Sequence, residues 1–125
     1  MTNSADTIDP SELPEPITGY LTSRYAGDLE VAVGYYAADA TVIDEGNTYA
    51  GTDAIREWLA SVSSAFTFTA TLTGARRIAD DHFVVVQHLE GNFPGGVVDL
   101  RFDFTLRDGR ISELTIAPWL IEGGS

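Results

Sequence analysis

"VVDLRFDFTLRDGRI", Val97 to Ile111, decides the fold. Val98, Leu100, Phe102, Phe104 and Leu106 fall on one side of an alternating run, and Asp99, Arg101, Asp103 and Thr105 on the other. A period of two with one apolar face marks a strand half-buried against a core. Asp108-Gly109 then supplies the left-handed residues a tight hairpin needs, and Ile111 to Leu120 reads as the returning strand. Upstream, "HFVVVQHLEG" (His82 to Gly91) is another strand. Before it, "FTFTATLT" sets Phe66, Phe68, Ala70 and Leu72 alternately with threonines. Four consecutive strands joined by short turns predict an antiparallel meander.

Before Ser64 the period changes from 2 to 3.6. Ile17, Tyr20, Leu21 and Tyr25 make the stripe of a first amphipathic helix, which Ala26-Gly27 ends. Asp28 is placed to cap a second helix carrying Leu29, Ala32, Val33 and Tyr36. Thr41 to Asp44 reads as a short strand turned at Gly46-Asn47, and Gly51-Thr52 opens a third helix with Ile55, Trp58, Leu59 and Val62 on its stripe. Helices first and strands after predict an α+β domain: three N-terminal helices on a curved antiparallel meander, a cone with a cavity at its open end. Residues 17–121 form this single domain. Residues 1–16, with Asp6, Asp9, Glu12, Glu15 and three prolines, are expected as a mobile acidic arm, a flap over a pocket being the functional alternative. Residues 122–125 are a C-terminal tail.

Composition narrows the function. The 125 residues suit one domain, and 44% hydrophobic content suffices for a core. There is no cysteine, which excludes disulfides, thiolate metal sites and cysteine nucleophiles. The formal net charge is −12, and all seven bases are arginine. No basic stripe exists to engage a phosphate backbone or an anionic bilayer, so neither nucleic acid nor membrane is an expected partner. No apolar run approaches the roughly 20 residues of a membrane helix, and Met1 to Pro16 lacks the basic and apolar regions of a secretory leader; a cytoplasmic protein is expected. Serine-hydrolase, phosphate-loop and dinucleotide motifs are absent. His82 follows Asp80-Asp81 without a readable third ligand, so no metal is expected, and no cofactor either.

Asp44 is the residue that raises a chemical question. It ends a β-branched run on the same side as Val42, while Glu45 should point to solvent. If that side looks into the cone, a desolvated carboxylate there is a competent general base. Otherwise Asp44 is a strand-end acid bonding turn amides. Tyr20 and Tyr36 are either pocket phenols or core packing, Trp58 is core or pocket wall, and Trp119 is pocket rim or dimer interface. His88 shares its strand side with Val84, Val86 and Glu90: inward it is a second acid–base group, outward an ordinary sheet histidine. The stripe of Asp99, Arg101 and Asp103 suits cross-strand ion pairs or a dimer contact.

The stretches "AGDLEVAVGYYAADATVIDEG", "YAGTDAIREWLAS" and "LRDGRISEL" resemble the nuclear transport factor 2-like superfamily, and within it the ketosteroid isomerases and SnoaL-like polyketide cyclases. The resemblance spans about residues 17–120. It implies the cone fold, a homodimer through the exposed sheet face, and a small hydrophobic ligand. It implies Asp44 as the base at the end of the first strand, Tyr20 as the oxyanion donor on the first helix, and Tyr36 as a second pocket phenol. Two positions depart from the isomerases: their proton-donating aspartate falls on Phe102, with Asp103 pointing outward, and their third pocket tyrosine on Leu59. The expectation is a cofactor-independent enzyme acting by proton abstraction on a small hydrophobic carbonyl compound, as isomerase, aldol-type cyclase or dehydratase. Tyr36, Trp58, His88, Phe102 and Trp119 would contact substrate. The alternative is a non-catalytic ligand-binding or accessory module of the same fold, which hosts both.

Overall fold

The computed structural model describes residues 6–65 and 67–118, with side chains for 7–62 and 67–118. Residues 1–5 of the acidic arm, Phe66, Trp119 and the tail at 122–125 lie outside the described residues.

The meander is present as read: β4 (Phe68–Ala79), β5 (His82–Gly91), β6 (Val97–Arg107) and β7 (Arg110–Pro118) pair antiparallel in succession. Asp108 (φ 55°) and Gly109 (φ 77°) both take the left-handed region between Arg107 and Arg110, the hairpin geometry their sequence demands. The sheet then continues where the meander alone would stop. β2 (Tyr36–Asp44) runs parallel beside β7, and β3 (Asn47–Ala50) pairs antiparallel with β2, giving the order β1-β4-β5-β6-β7-β2-β3.

Three helices cover one face: α1 (Glu15–Tyr25), α2 (Leu29–Val33) and α3 (Thr52–Ala65). Ile17, Tyr20 and Leu21 of α1 and Ile55, Trp58 and Leu59 of α3 are buried against Phe83, Val85, Phe102, Phe104, Leu114 and Ile116 of the sheet. Asp28 occupies the cap position of α2, but its side chain makes no capping hydrogen bond; its backbone carbonyl accepts from Ala32.

Three expectations change. Tyr36 is not on α2. The helix stops at Val33, and Tyr36 begins β2, which is nine residues long rather than four. The strand shifts register against β7 between Tyr36 and Thr41, so Tyr36, Ala37 and Ala40 are buried while Ala38 and Asp39 face solvent. That spacing imitates a helix. Second, the turn after β2 is Glu45-Gly46, both left-handed (φ 54° and 81°), which pairs Asp44 with Asn47 directly. Third, the arm is seated from residue 6. Asp6–Thr7 forms β1 against Arg76 and Arg77, the Ile8 amide donates to Ala75, and Pro10–Glu12 makes a single 3₁₀ turn capped by the Asp9 carboxylate. Leu13 is buried in the common core, and its burial adds to the β1 pairing and the Ile8 hydrogen bond in holding the arm.

Candidate active site

Asp44 is the last residue of β2, paired on one side with Ile116 of β7 and on the other with Asn47 of β3. The I′-type turn that follows lets the strand end abruptly, so the carboxylate stands at the open end of the cone. From α3, the indole Nε1 of Trp58 donates to Asp44 Oδ2 at 3.1 Å. No second donor among the described residues reaches this carboxylate. Tyr49 of β3 stacks on Trp58, with ring centroids 5.8 Å apart.

These three side chains border a cavity of about 560 Å³. Its walls are mostly apolar, with Leu89, Val98, Leu100 and Ile116 from the sheet and Val62 from α3. Asp44, Glu45, Asn47 and Arg24 supply charge and polarity. The volume lies within the roughly 300–1,000 Å³ of small-molecule sites. A smaller cavity of about 240 Å³ shares Arg24, Val62 and Phe68 with it and is otherwise lined by Tyr25, Gly27, Leu29, Leu59 and Thr67.

The fold thus brings Asp44 and Trp58 together on one wall and leaves the other expected contacts elsewhere. Tyr20 is fully buried and packs edge-on against Tyr36 (5.1 Å) and Phe104 (6.0 Å). Its hydroxyl is spent accepting from Arg24 Nη1 at 3.3 Å, so it does not line the cavity. Tyr36 is sealed in the core as well. Its hydroxyl has no hydrogen-bond partner although the Tyr20 phenol is near, and burial pushes its pKa well above the phenolic range. The Tyr25 hydroxyl is likewise buried without a partner, and burial raises its pKa. Phe102 faces inward, as the alternation of β6 requires, but lies beneath the cavity floor and is fully buried; Leu100 takes the wall position instead.

His88 is on the outer face of the sheet. Its Nδ1 meets Asp99 at 2.7 Å and its Nε2 meets Glu90 at 2.9 Å, which raises its pKa, Asp99 contributing most. It cannot touch a ligand in the cone. His82 pairs with Asp103 on that same face, where Arg101 also reaches Asp103 at 3.2 Å. Among the described residues, no three His, Asp or Glu side chains converge as metal ligands would, and no helix is long and apolar enough to cross a membrane.

Arg24 is the cavity-lining cation that the sequence pattern concealed. It stands three residues after Leu21, four after Tyr20 and seven after Ile17, which puts it on the apolar stripe of α1 rather than on the solvated side. That spacing was the available signal. Its guanidinium lies 5.0 Å from the Trp58 ring, 5.3 Å from Tyr25 and 5.4 Å from Phe102, within cation–π range of all three.

A curved sheet packed over three helices is the cone fold of the nuclear transport factor 2-like class. Within that class the chain belongs to the SnoaL-like domain family, whose pattern matches residues 17–114. A Sinorhizobium meliloti protein provisionally named a polyketide cyclase has 30% identity and a TM-score of 0.82, covering 88% of this chain and 100% of its own. A Catenulispora acidiphila protein of ketosteroid isomerase-like fold, solved with trimethylamine, has 23% identity and a TM-score of 0.74 over 83% of this chain and 85% of its own. A nuclear transport factor 2-like protein from Cytophaga hutchinsonii retains the fold at 10% identity, with a TM-score of 0.70 over 84% of this chain and 88% of its own. No curated protein matches.

Proposed function

We propose that this protein is a cofactor-independent enzyme that removes a proton from carbon beside the carbonyl of a small, largely apolar compound, with Asp44 as the base. Isomerisation, aldol-type ring closure and dehydration all begin with that step. The observation that carries the reading is the Asp44 carboxylate: it stands on an apolar cavity wall, held by one indole N–H on Oδ2. A carboxylate oriented from one oxygen keeps lone pairs on the other for an incoming proton, and exclusion of water by the substrate sharpens its basicity. Tyr20 has no part in this chemistry, because its hydroxyl is enclosed. Tyr49 and Asn47 line the same cavity and offer a hydroxyl and an amide to the oxygen on which charge develops.

The test is solvent-deuterium incorporation at the α-carbon of 2-tetralone, a flat enolisable ketone, followed by proton NMR. The native protein is expected to accelerate exchange. Asp44→Asn, which keeps size and the indole contact, should lose roughly 10²–10⁴ of that acceleration, the usual worth of a general base. Equal exchange rates with the two proteins would remove Asp44 from the mechanism.

The enclosure of Tyr20 supports one other reading. With the Tyr20 phenol withdrawn from the cavity, binding without turnover is that reading, and tight tetralone binding with no exchange at all would favour it.

A further inference from the structure

Arg24 makes no ion pair with any acid among the described residues, in a chain carrying 19 acids. Four of the other arginines find acids: Arg56 pairs with Glu30 and Asp53, Arg77 with Asp80, Arg101 with Asp103 and Arg107 with Asp39, while Arg76 and Arg110, which form no ion pair among the described residues, are exposed to water. Arg24 instead holds its guanidinium in place with one hydrogen bond to the Tyr20 hydroxyl and with three aromatic rings. Its remaining N–H groups have no acceptor among the described residues, and it borders both the larger and the smaller cavity.

A guanidinium carries five donors in a rigid plane that matches a carboxylate with two parallel hydrogen bonds. Keeping such a group charged, partly buried and without an anion is costly, unless an anion arrives with the ligand. Ring contacts and the one bond to Tyr20 fix the plane and leave the other donors unused, which is the preorganised state a binding site requires.

From this we infer that the cavity takes ligands bearing a carboxylate, bound by Arg24, with their apolar body along Leu89, Leu100 and Ile116. The inference rests on the reading of this cavity as a substrate site and narrows the substrate class to aromatic or polycyclic carbonyl acids. Trp58 links the two ends: its ring lies 5.0 Å from the Arg24 guanidinium, and its N–H is on Asp44. A carboxylate seated on Arg24 therefore sets the opposite portion of the molecule toward the base.

Calorimetric titration of the native protein with 2-naphthoate and with 2-naphthamide tests the inference. The two probes share shape and differ in charge. Naphthoate is expected to bind on the order of ten- to a hundredfold tighter, the worth of a charge-assisted hydrogen-bond pair. Arg24→Met, similar in length and uncharged, should abolish the preference. Arg24→Lys keeps the charge but not the fork; it should bind naphthoate more weakly than the native protein and still prefer it to the amide. Asp44→Asn removes a negative charge from the same wall and should tighten naphthoate binding. Equal affinity for the two probes, or a naphthoate preference that survives in a folded Arg24→Met protein, would overturn the inference. If Arg24→Met does not fold, the native probe comparison and the lysine variant decide. Binding is read without turnover, so a naphthoate preference that depends on Arg24 supports the carboxylate site even where tetralone exchange is absent and the proton-abstraction reading has failed.

Discussion

The indole N–H of Trp58 sits 3.1 Å from Asp44 Oδ2, joining the middle of α3 to the last residue of β2. The contact crosses from helix layer to sheet, so it aims the carboxylate with parts of the scaffold that are themselves packed. Trp58 is buried and stacks on Tyr49, and these neighbours leave its ring little freedom.

Trp58→Phe keeps an aromatic wall and removes the donor together with part of the buried ring system. The carboxylate then loses its anchor, and the proton-abstraction geometry loosens. Exchange of tetralone deuterium should slow by about tenfold, less than in Asp44→Asn, while thermal stability falls by about 1 kcal/mol. A Phe variant that exchanges as fast as the native protein would show that the indole is only a wall.

Glu45 holds φ 54° at the first turn position after Asp44, a region that costs a side chain with Cβ strain. Asparagine tolerates that region best among non-glycine residues and completes the Asn-Gly pair that I′ hairpins prefer. Glu45→Asn should stabilise the protein by about 0.5–1 kcal/mol in denaturant melts. Destabilisation would mean that the Glu45 side chain has a role the turn geometry does not reveal.

The meander was legible because its residues obey one rule at a time. Alternation in β6 places Phe102 inward and Asp103 outward; the Asp108-Gly109 turn sets the first pairs with β7, and a bulge at Ser112 shifts the rest by one residue. β2 was misread because its pairing irregularity buries Tyr36, Ala37 and Ala40 at helical spacing, and no local signal announces a partner strand some seventy residues away. The sequence pointed to Asp44 and Trp58, which meet on the cavity wall, but not to Arg24, which lines the same cavity. A charge on an apolar stripe looks like an amphipathic helix edge until the aromatic rings around it, from α3 and β6, are seen in space. The seated arm was missed for a similar reason: Leu13 is one apolar residue in an acidic, proline-rich stretch, and only the groove beside β4 explains its burial.

That burial is measurable. Leu13→Ala removes three buried carbons from the junction of arm and core, and should cost about 2 kcal/mol, at the lower end for core leucines because the site lies at the sheet edge. Amide exchange of Ile8, which bonds Ala75, should accelerate with it. No change in either would return residues 6–13 to the status of a loose arm.

Tyr36 carries a hydroxyl buried without a partner, and desolvation is the main reason its pKa is raised. Replacing it by Phe removes a polar atom that the core does not satisfy, while the ring contacts to Tyr20 remain. Tyr36→Phe should therefore be neutral or stabilising by up to about 1 kcal/mol. A loss of 2 kcal/mol or more would instead reveal that the hydroxyl is bonded in solution, with Tyr20 the nearest candidate.

His88 gives the outer sheet face a pH dependence of definite sign. Asp99 first and Glu90 second hold its proton, so its folded pKa lies above the ordinary 6.5. A group with a raised folded pKa stabilises fully below its unfolded value, and this contribution is lost as pH rises through the folded one. The partners are half-exposed, so salt screens the pairs and the effect is small. Denaturant melts from pH 6 to pH 9 should show the native protein losing more stability than His88→Gln, with the difference shrinking at high salt. His82, paired with Asp103, is present in both proteins, so the comparison isolates His88. Parallel pH profiles for the two proteins would mean that Asp99 and Glu90 do not hold the histidine in solution.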